Sequence, residues 1–256
     1  MINLTVAHGI ATLTIDRPER RNAVDTMTAE ALYEAWGRID GDPEIKVTVL
    51  TSTDCGTFSA GMDLKEASEI RRTRNVDVLS MLRDPFMERM GAVRKPVIAA
   101  MTGDFAGAGM LMAVLADLRV GLAGTTGGIP EAQRGRGSPW AVPMLWMVPQ
   151  ALFMEMVLTG EMMPIEHLHR LGFVNYVEAT PDAVRVRAAR IANRIRDNAP
   201  LSVEAGKASI RAAAALGRDA GLAEAKRLHE AVYDSLDAEE GPRAFAEKRA
   251  PVWRGR

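Results

Sequence analysis

The alternation of apolar and polar positions predicts a hairpin at the start of the chain and several buried strands after it. Residues 9–15 alternate apolar and small polar side chains, the period-2 pattern of a half-buried strand. Residues 2–6 precede this segment, and Ala7-His8-Gly9 suits a tight turn between two paired strands. Short segments rich in apolar and β-branched residues predict further strands at 47–51, 96–101 and 117–122.

Helical spacing occupies the segments between these strands. Apolar residues recur at helical intervals over 28–39 and 80–93, a polar helix begins near Lys65, and an apolar helix covers 110–115. Strands that alternate with helices favour an α/β architecture with parallel pairing. Because strand, turn and helix recur roughly every 45–50 residues, the pattern is compatible with a spiral of repeated units.

The pattern changes after about residue 144, where nearly every segment is helical. Helices are predicted over 152–158, 164–171, 182–197 and 201–236, with breaks at Pro200 and Gly217. Residues 207–232 are alanine-rich, and their leucines and alanines form an apolar face opposite charged residues. Such a region either covers the sheet or packs against another subunit.

Composition and charge exclude several classes of function. The 256 residues are 47% hydrophobic and 25% charged, which is ordinary for a globular protein, and the net charge of −1 gives no electrostatic case for nucleic acid or an anionic membrane. Cys55 is the single cysteine, so no intrachain disulfide forms. Residues 1–6 have no basic segment before an apolar stretch, so we expect no secretory signal. We therefore expect a cytoplasmic protein. His167 and His169 lie on different sides of a helix, so no metal site is predicted.

Two turns of small residues each follow a buried strand. They are Ser59-Ala60-Gly61 and Gly107-Ala108-Gly109, and the second opens an apolar helix. Backbone N–H groups from two separate loops can form an oxyanion hole, where a larger side chain would fill the space of the bound carbonyl. The alternative interpretation is that each turn only packs a helix against the sheet.

Glu131, in the segment 127–131, is the candidate catalytic side chain. It follows the strand that comes after the second turn. A carboxylate in an apolar pocket has a raised pKa and can act as a general acid or base. The alternative is a solvated glutamate in the first turn of a helix that begins at Pro130.

Six motifs, in chain order, carry a resemblance that spans the whole chain. They are Arg17-Pro18 with Asn22-Ala23, residues 58–64, residues 103–117, Pro130-Glu131, Leu158-Thr159-Gly160 with 171–175, and Glu240-Gly241 with Ala244-Phe245 and 247–251. In this order they resemble the crotonase superfamily, the enoyl-CoA hydratase/isomerase family.

The resemblance implies an α/β fold in which ββα units form a spiral over residues 1–200. It also implies that a helical C-terminal region, residues 201–256, packs subunits into a homotrimer or a dimer of trimers. The expected substrate is an acyl-CoA thioester, with coenzyme A as part of the substrate and no separate cofactor. The thioester oxygen would lie between the N–H groups of Ala60 and Ala108, and Glu131 would act as acid and base.

The resemblance further implies a set of contacts with the substrate. The segment Ala60-Gly61-Met62-Asp63-Leu64 and Gly107 would hold the CoA moiety. Lys248 would reach a CoA phosphate in the same or a neighbouring subunit, unless it is simply a solvated lysine. Leu111 and Trp140 would line the acyl pocket, although Trp140 is equally suited to the core.

The chain departs from the family pattern at one catalytic position. Family hydratases use two glutamates, and Leu111 stands at the position of the first, three residues after Ala108. Leucine cannot position water, so a single glutamate favours double-bond isomerisation over hydration, while other enolate reactions stay open. A second hypothesis is a degenerate paralogue that binds acyl-CoA without turning it over. Arg134 and Arg136 could recognise a carboxylate on the acyl group, or could be surface charges or subunit contacts.

Overall fold

The computed structural model describes residues 1–256, and its strands form two sheets. The strands are β1 (Ile2–Ala7), β2 (Ile10–Ile15), β3 (Val47–Ser52), β4 (Thr57–Ser59), β5 (Val97–Met101), β6 (Asp104–Ala106), β7 (Leu118–Leu122), β8 (Thr126–Gly128), β9 (Met162–Pro164) and β10 (Tyr176–Glu178). The larger sheet has the order β1-β2-β3-β5-β7-β10, and the smaller one the order β4-β6-β8-β9.

Ten α-helices surround and follow these sheets. They are α1 (Thr26–Gly41), α2 (Leu64–Arg74), α3 (Glu88–Ala92), α4 (Ala108–Leu115), α5 (Gln150–Thr159), α6 (Ile165–Arg170), α7 (Pro181–Arg196), α8 (Pro200–Leu216), α9 (Arg218–Tyr233) and α10 (Leu236–Ala246). Short 3₁₀ helices cover Pro18–Arg20, Val78–Met81, Ala132–Arg134 and Pro139–Trp146.

The predicted α/β architecture is confirmed, and it is built from repeated ββα units. A strand of the larger sheet leads into a short strand of the smaller sheet and then into a helix, as in β3-β4-α2 and β5-β6-α4. Apart from the β1–β2 hairpin, the pairs in the larger sheet are parallel, and β4, β6 and β8 are parallel to one another. The carboxyl ends of β4 and β6 therefore meet at one edge of the smaller sheet.

The hairpin forms as its sequence predicts. The register runs from Ile2 opposite Ile15 to Ala7 opposite Ile10, and the two turn residues, His8 and Gly9, have φ of 49° and 77°. Two consecutive positive φ values define the turn whose twist matches an antiparallel pair.

Packing places α4 in the middle of the molecule. Its residues from Gly109 to Val114 are all buried, which fits a helix that is apolar on every face. Gly109 brings this helix against β4, since a Cβ there would lie 2.4 Å from the Ser59 carbonyl oxygen. Close contact between α4 and β4 holds the two small-residue turns next to each other.

The sequence prediction of a helix over 80–93 is wrong. The segment instead contains the end of the 3₁₀ helix Val78–Met81, an irregular stretch and the short α3. Pro85 falls within the irregular stretch, and Met87 adopts φ of 53°, a left-handed conformation that ends helical continuity. The short strands β4, β6, β8, β9 and β10 were not predicted.

The C-terminal helices follow the predicted break. Gly217, with φ of 78°, separates α8 from α9, and these helices pack as an antiparallel hairpin in which a Cβ on Gly221 would lie 2.6 Å from Ala213 Cα. The break at Gly217 therefore turns the chain back on itself. Across residues 1–256, none of the helices combines the length and the apolarity needed to cross a membrane.

Candidate active site

A cavity, here called the Glu131 cavity, lies where the two small-residue turns meet the loop after β8. Its wall contains most of the predicted site residues, together with the segment 78–86 that crosses above them. The predicted residues in the wall are Ala60, Gly61, Met62, Leu64, Gly107, Ala108, Leu111, Glu131 and Trp140. The remaining two, Asp63 and Lys248, lie outside it.

The turns approach each other closely because two glycines lack side chains. A Cβ on Gly61 would lie 2.9 Å from the Ala106 carbonyl oxygen and 3.4 Å from the Ala108 nitrogen. A Cβ on Gly107 would lie 3.3 Å from Glu131 Oε1, and Gly107 has φ of 52°. Both turns and the glutamate are thus within van der Waals reach of one another.

The backbone amides of the first turn require a correction to the sequence prediction. The Ala60 N–H donates to the Arg21 carbonyl at 3.0 Å, so it does not point at a ligand. Val24 bridges the residues on either side of Met62, with Val24 N–H donating to Gly61 and Asp63 N–H donating to Val24. The Met62 N–H itself has no protein partner.

The second turn presents the Ala108 amide. Ala108 is the first residue of α4, so its N–H has no acceptor within the helix. The positive end of the helix dipole lies at the same place and favours an oxygen that carries negative charge. Each of the two turns that meet in this cavity therefore presents an unpaired amide, Met62 in the first and Ala108 in the second.

Glu131 has the environment that its prediction requires. It begins a single 3₁₀ turn, and its Oε2 atom is buried without a hydrogen-bond partner. Burial raises the pKa of the Glu131 carboxyl above its usual range, while the nearby Arg134 cation opposes part of that effect. An orphaned carboxylate oxygen beside two free amides is an arrangement that can exchange a proton with a bound molecule.

Leu111 contributes an apolar surface to the same wall and is only 3% exposed. The charged residues of the wall are Glu131, Arg134 and Arg136, so the cavity has one carboxylate. No group of three or more His, Cys, Asp or Glu side chains is arranged to hold a metal ion.

Asp63 has a structural use in this chain. Its Oδ1 accepts the N–H groups of Lys65 and Glu66 and so caps α2, and its Oδ2 pairs with Arg17 at 3.3 Å. Both oxygens are thus engaged in holding the first turn, and the prediction that Asp63 contacts CoA directly finds no support in its geometry. Lys248 is exposed in the C-terminal tail, where its φ is 54°.

The sequence did not reveal the segment that covers the cavity. Val78, Leu79, Pro85 and Phe86 line its upper wall. Asp77, the residue before this segment, holds it in place through an ion pair with Arg136 of the cavity wall. In this pair Arg136 Nη2 donates to Asp77 Oδ1 at 2.9 Å. Hydrophobic spacing predicts a helix here, and no local pattern indicates the ion pair.

Comparison with known proteins gives matches along nearly the whole chain. A family model described as enoyl-CoA hydratase/isomerase matches residues 5–256. The chain is 35% identical to the (E)-benzylidenesuccinyl-CoA hydratase of Thauera aromatica, covering 99% of both proteins. It is also 35% identical to the carnitinyl-CoA dehydratase of Salmonella typhi, covering 100% of this chain and 98% of the relative.

Solved structures agree with the sequence relatives. An enoyl-CoA hydratase from Mycobacterium tuberculosis H37Rv superposes with a TM-score of 0.87 at 34% identity, covering 100% of this chain and 99% of that one. An enoyl-CoA hydratase from Bacillus anthracis gives a TM-score of 0.92 at 25% identity with the same coverage. The chain therefore belongs to the enoyl-CoA hydratase/isomerase family of enzymes, which act on acyl-CoA, and it has the crotonase fold.

Proposed function

We propose that the Glu131 cavity binds an acyl-CoA thioester with its carbonyl oxygen between the amides of Met62 and Ala108. The support is that these two N–H groups are unpaired and lie on turns in van der Waals contact. Such donors stabilise the negative charge that gathers on the oxygen as an enolate forms, and removing one from other enzymes costs about 3–4 kcal/mol. Gly61, Leu64 and Gly107 form the adjoining wall for the pantetheine end.

Glu131 moves the proton. Its carboxylate removes a proton from C4 of a 2-enoyl thioester, and the electron pair spreads through the double bond to the thioester oxygen. The protonated Glu131 then returns the same proton to C2, which leaves the double bond between C3 and C4. This isomerisation consumes no water and needs one acid-base group.

The single carboxylate is the observation that favours isomerisation. Hydration requires a water held in place for attack on C3, and Leu111 provides no hydrogen bond for one. The relatives named above as hydratase and dehydratase show that the family performs hydration, so hydration by Glu131 alone is the second candidate. The same Leu111 motivates a third, an acyl-CoA-binding protein that has lost turnover.

Interconversion of 2-enoyl-CoA and 3-enoyl-CoA by the wild type and by Glu131→Gln tests this proposal. The variant should lose roughly 10²–10⁴-fold in rate, the usual contribution of a general acid-base group. Glu155→Gln is the matched control, because Glu155 is exposed on α5 outside the cavity, and it should behave as the wild type. Activity that is indifferent to Glu131→Gln contradicts the role of Glu131, and binding without turnover of any thioester supports the binding protein.

The helical region 201–256 is proposed to pack subunits together. It exposes large apolar side chains on three helices, and Phe245 is 87% exposed. The tail beyond α10 is held in a fixed position: Asp237 accepts the amides of Arg254 and Gly255, and Glu240 pairs with Arg249. This anchoring gives Lys248 a defined place from which to meet a CoA phosphate of its own or a neighbouring subunit.

A further inference from the structure

The wall of the Glu131 cavity carries two guanidinium groups from the turn that carries the glutamate. The N–H groups of Arg134 and Arg136 both donate to the Glu131 carbonyl at 2.9 Å. In a 3₁₀ turn, residues three apart lie on the same face, so Arg134 follows Glu131 along one side of the cavity. A cation therefore stands one turn from the group that moves the proton.

The two arginines differ in the acceptors that their guanidinium groups already contact. Arg136 is bound to both oxygens of Asp77, which neutralises its charge. Arg134 has no carboxylate within ion-pair distance, and its side chain makes one hydrogen bond, to the Pro130 carbonyl at 3.0 Å. A guanidinium has five N–H donors, so the exposed Arg134 side chain keeps four donors without a protein partner at an otherwise largely apolar cavity.

Resting on the proposed function, we infer that the substrate's acyl group carries a carboxylate, and that Arg134 binds it and so determines specificity. A guanidinium matches the two oxygens of a carboxylate in geometry and charge. A purely aliphatic acyl chain offers the Arg134 guanidinium no hydrogen-bond acceptor, so it gains nothing from this contact. Because Arg134 lies one turn beyond Glu131, the carboxylate belongs at the end of the acyl group away from the thioester.

Binding of saturated acyl-CoA thioesters measures carboxylate recognition by Arg134 separately from catalysis. Calorimetry with pentanoyl-CoA and pentanedioyl-CoA compares acyl chains of equal length that end in a methyl group or a carboxylate. The wild type should bind pentanedioyl-CoA about ten-fold or more tightly than pentanoyl-CoA, the effect of one charge-assisted contact. Arg134→Gln should abolish this preference without changing pentanoyl-CoA binding. Arg134→Lys, which keeps the charge and loses the two-pronged geometry, should retain part of it.

Arg170→Gln is the control for a change of net charge, since Arg170 is exposed on α6, and it should preserve both affinities. The inference is overturned if the wild type binds pentanedioyl-CoA, butanedioyl-CoA and hexanedioyl-CoA no more tightly than pentanoyl-CoA. That result leaves the proposed function intact. An equal loss for every ester in Arg134→Gln also overturns the inference and assigns Arg134 to the CoA phosphates. Failure of the wild type to bind any CoA ester contradicts the proposed function itself.

Discussion

The Glu131 carboxyl is subject to opposing effects, one of which can be removed by mutation. Burial, the largest effect, disfavours the charged form and raises the pKa. A hydrogen bond with the residue's own backbone and the Arg134 cation both favour the charged form and lower the pKa. Because the base must be ionised to accept a proton, the activity should depend on pH through this one group.

We expect kcat/KM to fall as the pH is lowered through the pKa of Glu131, with the acid limb above the ordinary glutamate value of 4.5. Arg134→Gln removes the cation that stabilises the carboxylate, so the pKa rises further and the acid limb moves to higher pH. The measurement is the pH profile of 2-enoyl-CoA isomerisation with an uncharged acyl chain. Arg170→Gln is the control and should leave the acid limb in place. An acid limb that stays in place or moves to lower pH in Arg134→Gln contradicts this assignment.

Leu111 determines whether the cavity can hold a second acid. In Leu111→Glu, two carboxylates share one wall and can hold a water between them, so hydration of 2-enoyl-CoA should increase. The buried position, with 3% exposure, should make the variant about 1–3 kcal/mol less stable. Hydration is measured by chromatography as the 3-hydroxyacyl-CoA formed, because isomerisation to a 3-enoyl-CoA also removes the conjugated thioester absorbance.

Leu111→Gln is the matched control for this gain, because it has the same shape as glutamate and no acid. It should show the loss of stability without hydration. If Leu111→Glu folds and hydrates no faster than the glutamine variant, the departure at position 111 does not explain the chemistry.

The residue roles divide into those that local sequence predicts and those that depend on distant contacts. The structure brings Glu131 and the two small-residue turns to one cavity, and each could be singled out in the sequence because its motif is contiguous. The prediction of Ala60 as an amide donor to the ligand is contradicted by the Arg21 carbonyl, which lies far from Ala60 in sequence and accepts its N–H. A spacing rule cannot show which of several adjacent amides is already bonded.

Among the elements, the first turn depends on the missing side chain at Gly61. Gly61→Ala would place a Cβ 2.9 Å from the Ala106 carbonyl oxygen, and backbone at that distance has to shift. We expect the shift to misplace the Met62 and Ala108 amides, with a loss in kcat of about 10²-fold or more. Steady-state kinetics with a 2-enoyl-CoA measures it.

Gly172→Ala separates this effect from backbone strain. Gly172 has φ of +86°, close to the +95° of Gly61, but no other atom lies within 4 Å of the position that a Cβ on Gly172 would take. It should lose about 1 kcal/mol of stability and keep its rate. Native kcat in Gly61→Ala, or equal kinetic losses in the two variants, would show that the close approach of the turns is not needed for catalysis.

Elements with strong periodicity were predicted well, and elements fixed by side-chain pairing were not. The hairpin, β3, β5, α4 and the break at Gly217 follow directly from apolar pattern and turn chemistry. The segment over the cavity is instead held by long-range contacts, including Arg83 and Arg89 on the Tyr33 ring and Asp77 on Arg136. These contacts join residues that are far apart in sequence. No local pattern therefore shows that residues 78–86 form an irregular segment instead of a helix.

At the scale of the whole molecule, the C-terminal region combines a rigid anchor with exposed apolar surface. The tail is fixed by the buried carboxylates of Asp237 and Glu240, and bonding to Arg249 and Arg243 holds the pKa of the Glu240 carboxyl well below its usual range. The region nevertheless leaves Phe245, Tyr233 and Ile210 at least 75% exposed. Exposed apolar side chains on an anchored region support the proposed contact with another subunit.

Phe245→Asp tests whether this surface joins subunits. Burial of one phenylalanine contributes about 1.5–3 kcal/mol, so its loss from every copy should shift a trimer or a dimer of trimers towards smaller species. Val186→Asp is the control, because Val186 is 69% exposed on α7 outside the C-terminal region, and its introduced charge should leave the assembly intact. Light scattering after size-exclusion chromatography reports the mass of each species. Assembly that persists in Phe245→Asp and fails in Val186→Asp would place the subunit contact on the core instead of on residues 201–256.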